Sequence, residues 1–294
     1  MVSKAFKNVP LPLTGMIKRG IMEKVSEMYK NLYHYTTWEG LLGILRSRSL
    51  WATHYRFLND YSEIVLFRDR LIPLMYPYVR QAYDLLLKDS PQVQQKIDQD
   101  GGLHQVVQHD TEVLVDAQYH ATGDDIYILS FCGEQKNPHV NTNGLLSQWR
   151  GYGTGGGFAL VLNTKKLENM LNLETERHQY SALLLADLVY SDDDDRLRKE
   201  MSEDLTNLAE DVGQICNHKK PSTEIPELKG YYSFVSCISR YKHHGFCEEN
   251  EVRVVALPTV LDNKFLQLAQ NKVAELKPEK KENSGQKKAA SYPT

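Results

Sequence analysis

Residues 145–163 read LLSQWRGYGTGGGFALVLN, and the order of elements in this stretch decides which kind of α/β fold is open to the chain. Gly151–Gly156, GYGTGG, formally satisfies the spacing G-x-G-x-x-G. That fingerprint needs a strand before the glycines and a helix after them, so that a pyrophosphate meets a helix N-terminus. Here a helix-like LLSQWR precedes and a β-like FALVLN follows. The reversed order excludes a Rossmann domain. What remains is a glycine turn in which backbone can approach a neighbour closely. It is either a plain turn or the floor of a ligand site.

Outward from this turn, DIYILSFCGE (125–134) reads as the clearest core strand, apolar over most of its length. Upstream, LYHYTT (32–37) has the aromatic and β-branched content of a strand, and Thr37 is placed to cap a helix over WEGLLGILRS (38–47). SLWATHY (49–55) reads as a second short strand. Asn59, Asp60 and Glu63 form an Asx cap with a first-turn glutamate for the helix that follows, or hold a substrate. Downstream, LLLADLVYS predicts a strand, then a charged helix to about 216, a helix over YYSFVSCISRYKH (231–243) and a last strand, EVRVVAL (251–257). The pattern is that of one α+β domain over 31–262, preceded by an arm and helix (1–30). The polar stretch 79–121 reads as a helical insertion, either a lid or an inserted helical pair. The tail 276–294 has five lysines, two glutamates and no core residues, and reads as a disordered basic segment.

Several function classes lose support from composition. A net charge of −3 gives no global basic field for non-specific nucleic-acid binding. Cys132, Cys216, Cys237 and Cys247 are far apart, with no C-x-x-C pair, and suit a reducing cytoplasm. No apolar run approaches the roughly 20 residues that span a bilayer, and the first residues lack a signal-peptide core. A cytoplasmic protein without a membrane partner is expected. There is no G-x-S-x-G elbow or P-loop. HQVVQH (104–109) has its histidines five apart and lacks the zincin glutamate. SDDDDR (191–196) suits a helix start, where the macrodipole favours carboxylates. His243 and His244, next to Gly245, read as caps at a helix end.

FCEENEVRVV (246–255) carries more chemistry. Glu249, Glu251 and Arg253 are spaced two apart and share one face of a strand. They form either a solvent-facing charge ladder or a carboxylate pair lining a cleft, one tuned by the other or by the arginine.

Taken in order, LYHYTT, LWATHYRFLNDYSE (50–63), ILSFCGE, LLSQWRGYG and FCEENEVRVV resemble the bacterial family catalogued as domain of unknown function 2971, over roughly residues 30–260. That family in turn resembles a distant ADP-ribosyltransferase-like fold, in the branch with a histidine-tyrosine-glutamate signature. The resemblance implies a central split, mixed β-sheet flanked by helices, and NAD as a substrate. It places His34 on the adenosine-side ribose and makes Glu251, with Glu249 as its E-x-E partner, the catalytic carboxylates. Tyr35, Ser130, Trp149, Tyr152 and Arg253 join the NAD-binding set. No tyrosine-x-tyrosine pattern marks the nicotinamide stack.

Three functions follow as expectations. The first is an NAD-using ADP-ribosyltransferase-like enzyme that modifies a protein or nucleic-acid acceptor or cleaves NAD, as a toxin or phage-defence effector. The second is a non-catalytic module that senses a nucleotide or a phage component on the same scaffold. The third is a metal-dependent nuclease built on Asp60, Glu63 and the late carboxylates. Neither the acceptor nor the oligomeric state is legible in the sequence.

Overall fold

A computed structural model describes residues 25–58, 61–89, 91–122, 126–153, 155–178, 180–216 and 229–258, all within one compact unit that ends at Pro258. The centre of that unit is a six-stranded sheet in the order β4-β1-β3-β8-β5, with β2 also paired to β3. The strands are β1 (Asn31–Thr37), β2 (Thr53–His54), β3 (Tyr127–Gly133), β4 (Gly157–Asn163), β5 (Tyr180–Asp187) and β8 (Glu251–Pro258). All pairings in it are antiparallel. A second, two-stranded parallel sheet joins β6 (Val189–Tyr190) to β7 (Tyr241–Lys242).

Over β5 and β8 the sheet is buried on both faces, which explains why these strands read as continuous apolar runs rather than alternating ones. On one face Leu32, Leu129, Phe131, Leu183, Leu185, Val252 and Val254 meet Leu167 and Leu171 of the helix Thr164–Arg177. On the other, Ile128, Leu184, Val255 and Leu257 meet a helical layer. That layer comprises α2 (Tyr61–Asp89), α4 (Leu103–Thr122), α9 (Ser202–Cys216) and α10 (Lys229–Arg240); the remaining helices are α1 (Trp38–Ser47), α3 (Pro91–Gln99), α5 (Pro138–Asn143), α6 (Leu146–Tyr152), α7 (Thr164–Arg177) and α8 (Asp194–Glu200). The architecture is therefore α+β, with strand pairing that is antiparallel except between β6 and β7. The segment 79–121 is helical and places Val79, Val107, Leu114 and Val115 in this core.

Local signals account for the element starts. Thr37 caps α1, its Oγ1 accepting from the Gly40 N–H at 3.2 Å. Asp193 caps the helix Asp194–Glu200, with Asp194 and Asp195 in its first turn. Other expectations are corrected. The second strand shrinks to Thr53–His54, because a 3-10 turn over Tyr55–Phe57 follows at once and Trp51 is exposed. The charged helix to 216 breaks at Met201 into two. The helix predicted over 231–243 stops at Arg240, and Tyr241–Lys242 turn into β7. His243 then caps a 3-10 helix (His244–Glu249) rather than a helix end, its Nδ1 accepting from the Gly245 N–H. Asn59, Asp60, the Glu63 side chain, the arm before residue 25 and the tail 276–294 lie outside the described residues. Among the described residues no helix is long and apolar enough to cross a membrane.

Leu185 is fully buried in the central layer. Truncation in Leu185→Ala is expected to cost about 2–5 kcal/mol, as lost transfer energy plus a residual cavity, read as a lower midpoint in urea unfolding at unchanged slope.

Candidate functional site

The site starts from an interruption in strand pairing. β1 pairs with β4 along all seven residues but with β3 only at Leu32–Gly133 and Tyr33–Cys132. The same edge of β3 is next used at Ile128, by β2. Among the described residues, Leu129–Phe131 thus have no strand on that side, and a peptide carbonyl there needs another partner. His34 supplies it. Its Nδ1 lies 3.0 Å from the Ser130 carbonyl oxygen, and its ring meets Phe131 edge-on at 5.7 Å. Because a carbonyl only accepts, Nδ1 is the donor in this contact, and Nε2 faces away from it.

Residues directly opposite across antiparallel strands project to the same face. Tyr33, Cys132 and Glu251 therefore form one row across β1, β3 and β8, and Ser130 stands opposite Arg253. Glu251 is 6% exposed, and the two-apart spacing on β8 sets Arg253 beside it. Arg253 donates from Nε to Glu251 Oε1 at 2.7 Å and from Nη2 to Oε2 at 3.3 Å. Lys242 Nζ, from β7, donates to Glu251 Oε2 at 2.9 Å and to Glu249 Oε2 at 2.7 Å. The Glu251 amide donates to the Tyr190 hydroxyl at 2.7 Å, and Arg253 Nη1 donates to the Ser239 carbonyl at 3.0 Å.

Burial alone would raise the Glu251 pKa, but the charges of Arg253 and Lys242 outweigh it, helped by hydrogen bonds from Arg253 and Ser130. The carboxyl falls from an ordinary 4.5 to about 2. Burial, followed by the charges of Glu249 and Glu251, pushes the Cys132 thiol up to about 12, which favours its protonated form. Burial also raises Tyr35, whose hydroxyl accepts from the Leu145 N–H at 2.8 Å.

Glu249 reaches this cluster by a route the two-apart spacing does not describe. It ends the 3-10 helix rather than beginning the strand. Asn250 between the two glutamates is left-handed (φ 48°), a conformation asparagine tolerates better than most residues. Its side chain is fixed on both sides, accepting from the Tyr29 hydroxyl and donating to the Glu134 carbonyl. The left-handed turn at Asn250, not strand alternation, brings the Glu249 carboxylate to Lys242 beside that of Glu251.

These groups line one pocket of about 510 Å3, within the size range of small-molecule sites. His34, Tyr35, Ser130, Tyr152, Glu249, Glu251 and Arg253, all named from the sequence, lie on its wall. Trp149 does not. It stands behind Tyr35, edge-on at 4.9 Å, and its Nε1–H donates to the Asn143 carbonyl. Of the glycine turn only Gly151 and Tyr152 reach the pocket, while Gly155 and Gly156 serve the chain reversal with positive φ. Sequence reading missed Lys242, which the pattern placed on a helix, and an aromatic rim. Trp51, Phe57 and Phe246 line the same pocket and are 58%, 82% and 40% exposed. Among the described residues, no three His, Cys, Asp or Glu side chains are placed to hold a metal ion.

Comparison with known proteins bears on this wall. Residues 148–254 match the family model described as Protein of unknown function (DUF2971). No curated protein and no solved structure matches the chain. The DUF2971 match supports the family resemblance over this part of the chain. It contains Tyr152, Lys242, Glu249, Glu251 and Arg253, whereas His34, Tyr35 and Ser130 come from outside it. The pocket is thus assembled from the segment that matches this family model and the chain that precedes it.

Removing the Glu251 charge leaves Lys242 and Arg253 undercompensated in a buried place, so Glu251→Gln is expected to cost about 3–5 kcal/mol at neutral pH. A depressed folded-state pKa contributes stability above the ordinary value and loses it below. Wild-type stability should therefore fall by on the order of 3 kcal/mol from this group as pH drops from 4.5 toward 2. Urea unfolding across that window should give a shallower pH profile for Glu251→Gln than for wild type.

Proposed function

We propose that this pocket binds NAD and that the protein is an ADP-ribosyltransferase-like enzyme acting at the nicotinamide–ribose bond. The observation that carries the reading is the meeting, in one pocket, of an aromatic rim, a histidine held by a strand carbonyl and a pair of carboxylates from β8 and its 3-10 neighbour. Breaking that bond sends its electron pair out with the nicotinamide and leaves developing positive charge on the ribose, as in glycoside cleavage. A fixed carboxylate in a site of low dielectric opposes such charge without reorganising. Glu251 is held ionised for this role, and Glu249 is its second carboxylate. His34 Nε2 accepts from a ribose hydroxyl, and the rings of Tyr152, Trp51 and Phe246 offer faces to planar groups. The acceptor of the ribosyl group is a macromolecule or water.

One observation favours the second reading, a binding module without catalysis. Both oxygens of Glu251 are engaged by cations, Oε1 by Arg253 and Oε2 by Lys242 and Arg253. That neutralises much of the charge an oxocarbenium ion would meet. The deciding measurement is nicotinamide release from NAD by the purified full chain, with cell extract supplied as acceptor. Release is expected from wild type and should drop at least about 100-fold in Glu251→Gln. The drop should persist in the charge-balanced Lys242→Met/Glu251→Gln variant, with thermal midpoints taken on the same samples. NAD binding without release would establish the binding module, and the absence of both would overturn the nucleotide site.

A further inference from the structure

We infer that Trp51 is the stacking surface of the pocket, that Gly43 positions it, and that the ligand carries a planar heterocycle laid against the indole. The inference rests on the reading that the pocket takes a nucleotide, and it assigns the side chain that recognises a ring of that nucleotide.

Trp51 lines the pocket, yet it is 58% exposed. Its neighbours on either side, Leu50 and Ala52, pack against the core, so the chain is anchored while the indole is not drawn inward. The approach to Trp51 is also fixed. Helix α1 ends at Arg48, a left-handed residue (φ 54°). Ser47 and Ser49 then clamp the turn, the Ser49 N–H donating to Ser47 Oγ and Ser49 Oγ donating to the Ser47 carbonyl, each at 3.2 Å. The chain that follows brings the outer corner of the indole onto Gly43, in the middle of α1.

Gly43 is what admits the ring. A Cβ at that position would lie 2.5 Å from Trp51 Cη2 and 3.1 and 3.2 Å from Cζ3 and Cζ2, well inside the roughly 3.5–4.0 Å at which carbon atoms rest. Any other residue there would push the indole aside. The backbone gives no competing reason for glycine, since Gly43 is not among the glycines with positive φ, and glycine in mid-helix is less favourable than alanine. A weak helix former thus stands where it gives one exposed ring a fixed place. A free surface indole samples several rotamers, and ordering them opposes binding; a ring already seated avoids part of that loss. Trp51 shares the pocket with His34, Ser130 and Arg253, so the ligand it suits is planar and apolar at one end and polar at the other. Offset stacking on the indole face is the interaction such a heterocycle gains.

The test uses the full chain with NAD, adenosine monophosphate and nicotinamide mononucleotide, read by isothermal titration and tryptophan fluorescence, with thermal midpoints on the same samples. Trp51→Leu keeps an apolar side chain without an aromatic face, and should bind NAD at least about tenfold more weakly than wild type. Trp51→Phe keeps a face and should stay within about threefold. Gly43→Ala displaces the indole and should weaken NAD binding about threefold or more. In a Trp51→Phe background that effect should vanish, because the smaller ring lacks the corner that meets residue 43. NAD should quench the fluorescence of wild type but not of Trp51→Phe, which separates Trp51 from Trp38 and Trp149. The mononucleotide whose affinity falls in Trp51→Leu identifies the ring. Unchanged NAD affinity in Trp51→Leu or in Gly43→Ala overturns the assignment even where wild type releases nicotinamide, and so does quenching that survives in Trp51→Phe. Mononucleotide binding that requires Trp51, in a protein that ignores NAD, supports the stacking surface while the NAD reading falls. Absence of binding by all three overturns both.

Discussion

The carboxylate of Glu251 is the constraint on which this structure depends. It lies in the layer between sheet and helices, where an apolar side chain would be easier to bury, and it is tolerable there only because Arg253 and Lys242 hold both oxygens. Each cation is fixed in turn by something else. Arg253 spans to the end of α10 through the Ser239 carbonyl, and Lys242 comes from the two-residue strand that continues α10. Tyr190 of β6 accepts the Glu251 amide. The last strand, the small parallel sheet and the buried helix α10 are thus tied at one point. A charged tie of this sort gives little net stability for its cost, but it gives directionality that an apolar core lacks.

The second requirement is the parting of β1 from β3. Full pairing of β1 with β3 would leave no gap beside Ser130 for the His34 ring to fill. Because β1 leaves β3 after Tyr33 and β2 joins it only at Ile128, the sheet has an opening in its middle without a break in its core. The helix Leu146–Tyr152 is held at that opening by Tyr35, through the Leu145 amide and the Trp149 ring. The glycine turn lets the chain reverse from this helix straight into the edge strand β4. The Rossmann-like spacing is therefore a by-product of reversal.

Much of this was legible in the sequence, and what was not has physical reasons. Long strands and capped helices announced themselves, because ILSF and EVRVV have the apolar content of buried strands and Thr37 has a helix behind it. Seven of the eight residues named for the pocket line it, since short motifs with ionisable or aromatic residues are visible without a fold. Lys242 was invisible because its meaning lies in a contact across seven and nine residues with two glutamates, while the local pattern around it reads as helix. Trp149 was misplaced for the opposite reason. Its motif marks a residue that supports the wall, and sequence does not distinguish a support from a surface. The exposed Trp51 and Phe57 gave no periodic signal, because they belong to irregular chain beside a two-residue strand.

One contact in the opening has unequal partners. The donor is the ring of His34, and the acceptor is the main-chain oxygen of residue 130. Whatever residue stands at 130, that oxygen remains, so mutation there can change the hydroxyl offered to Glu251 but cannot abolish the acceptor. At position 34 nearly every replacement removes the donor and leaves a strand carbonyl unsatisfied. Tolerance to sequence change across this single hydrogen bond is therefore one-sided, with the burden falling on the histidine.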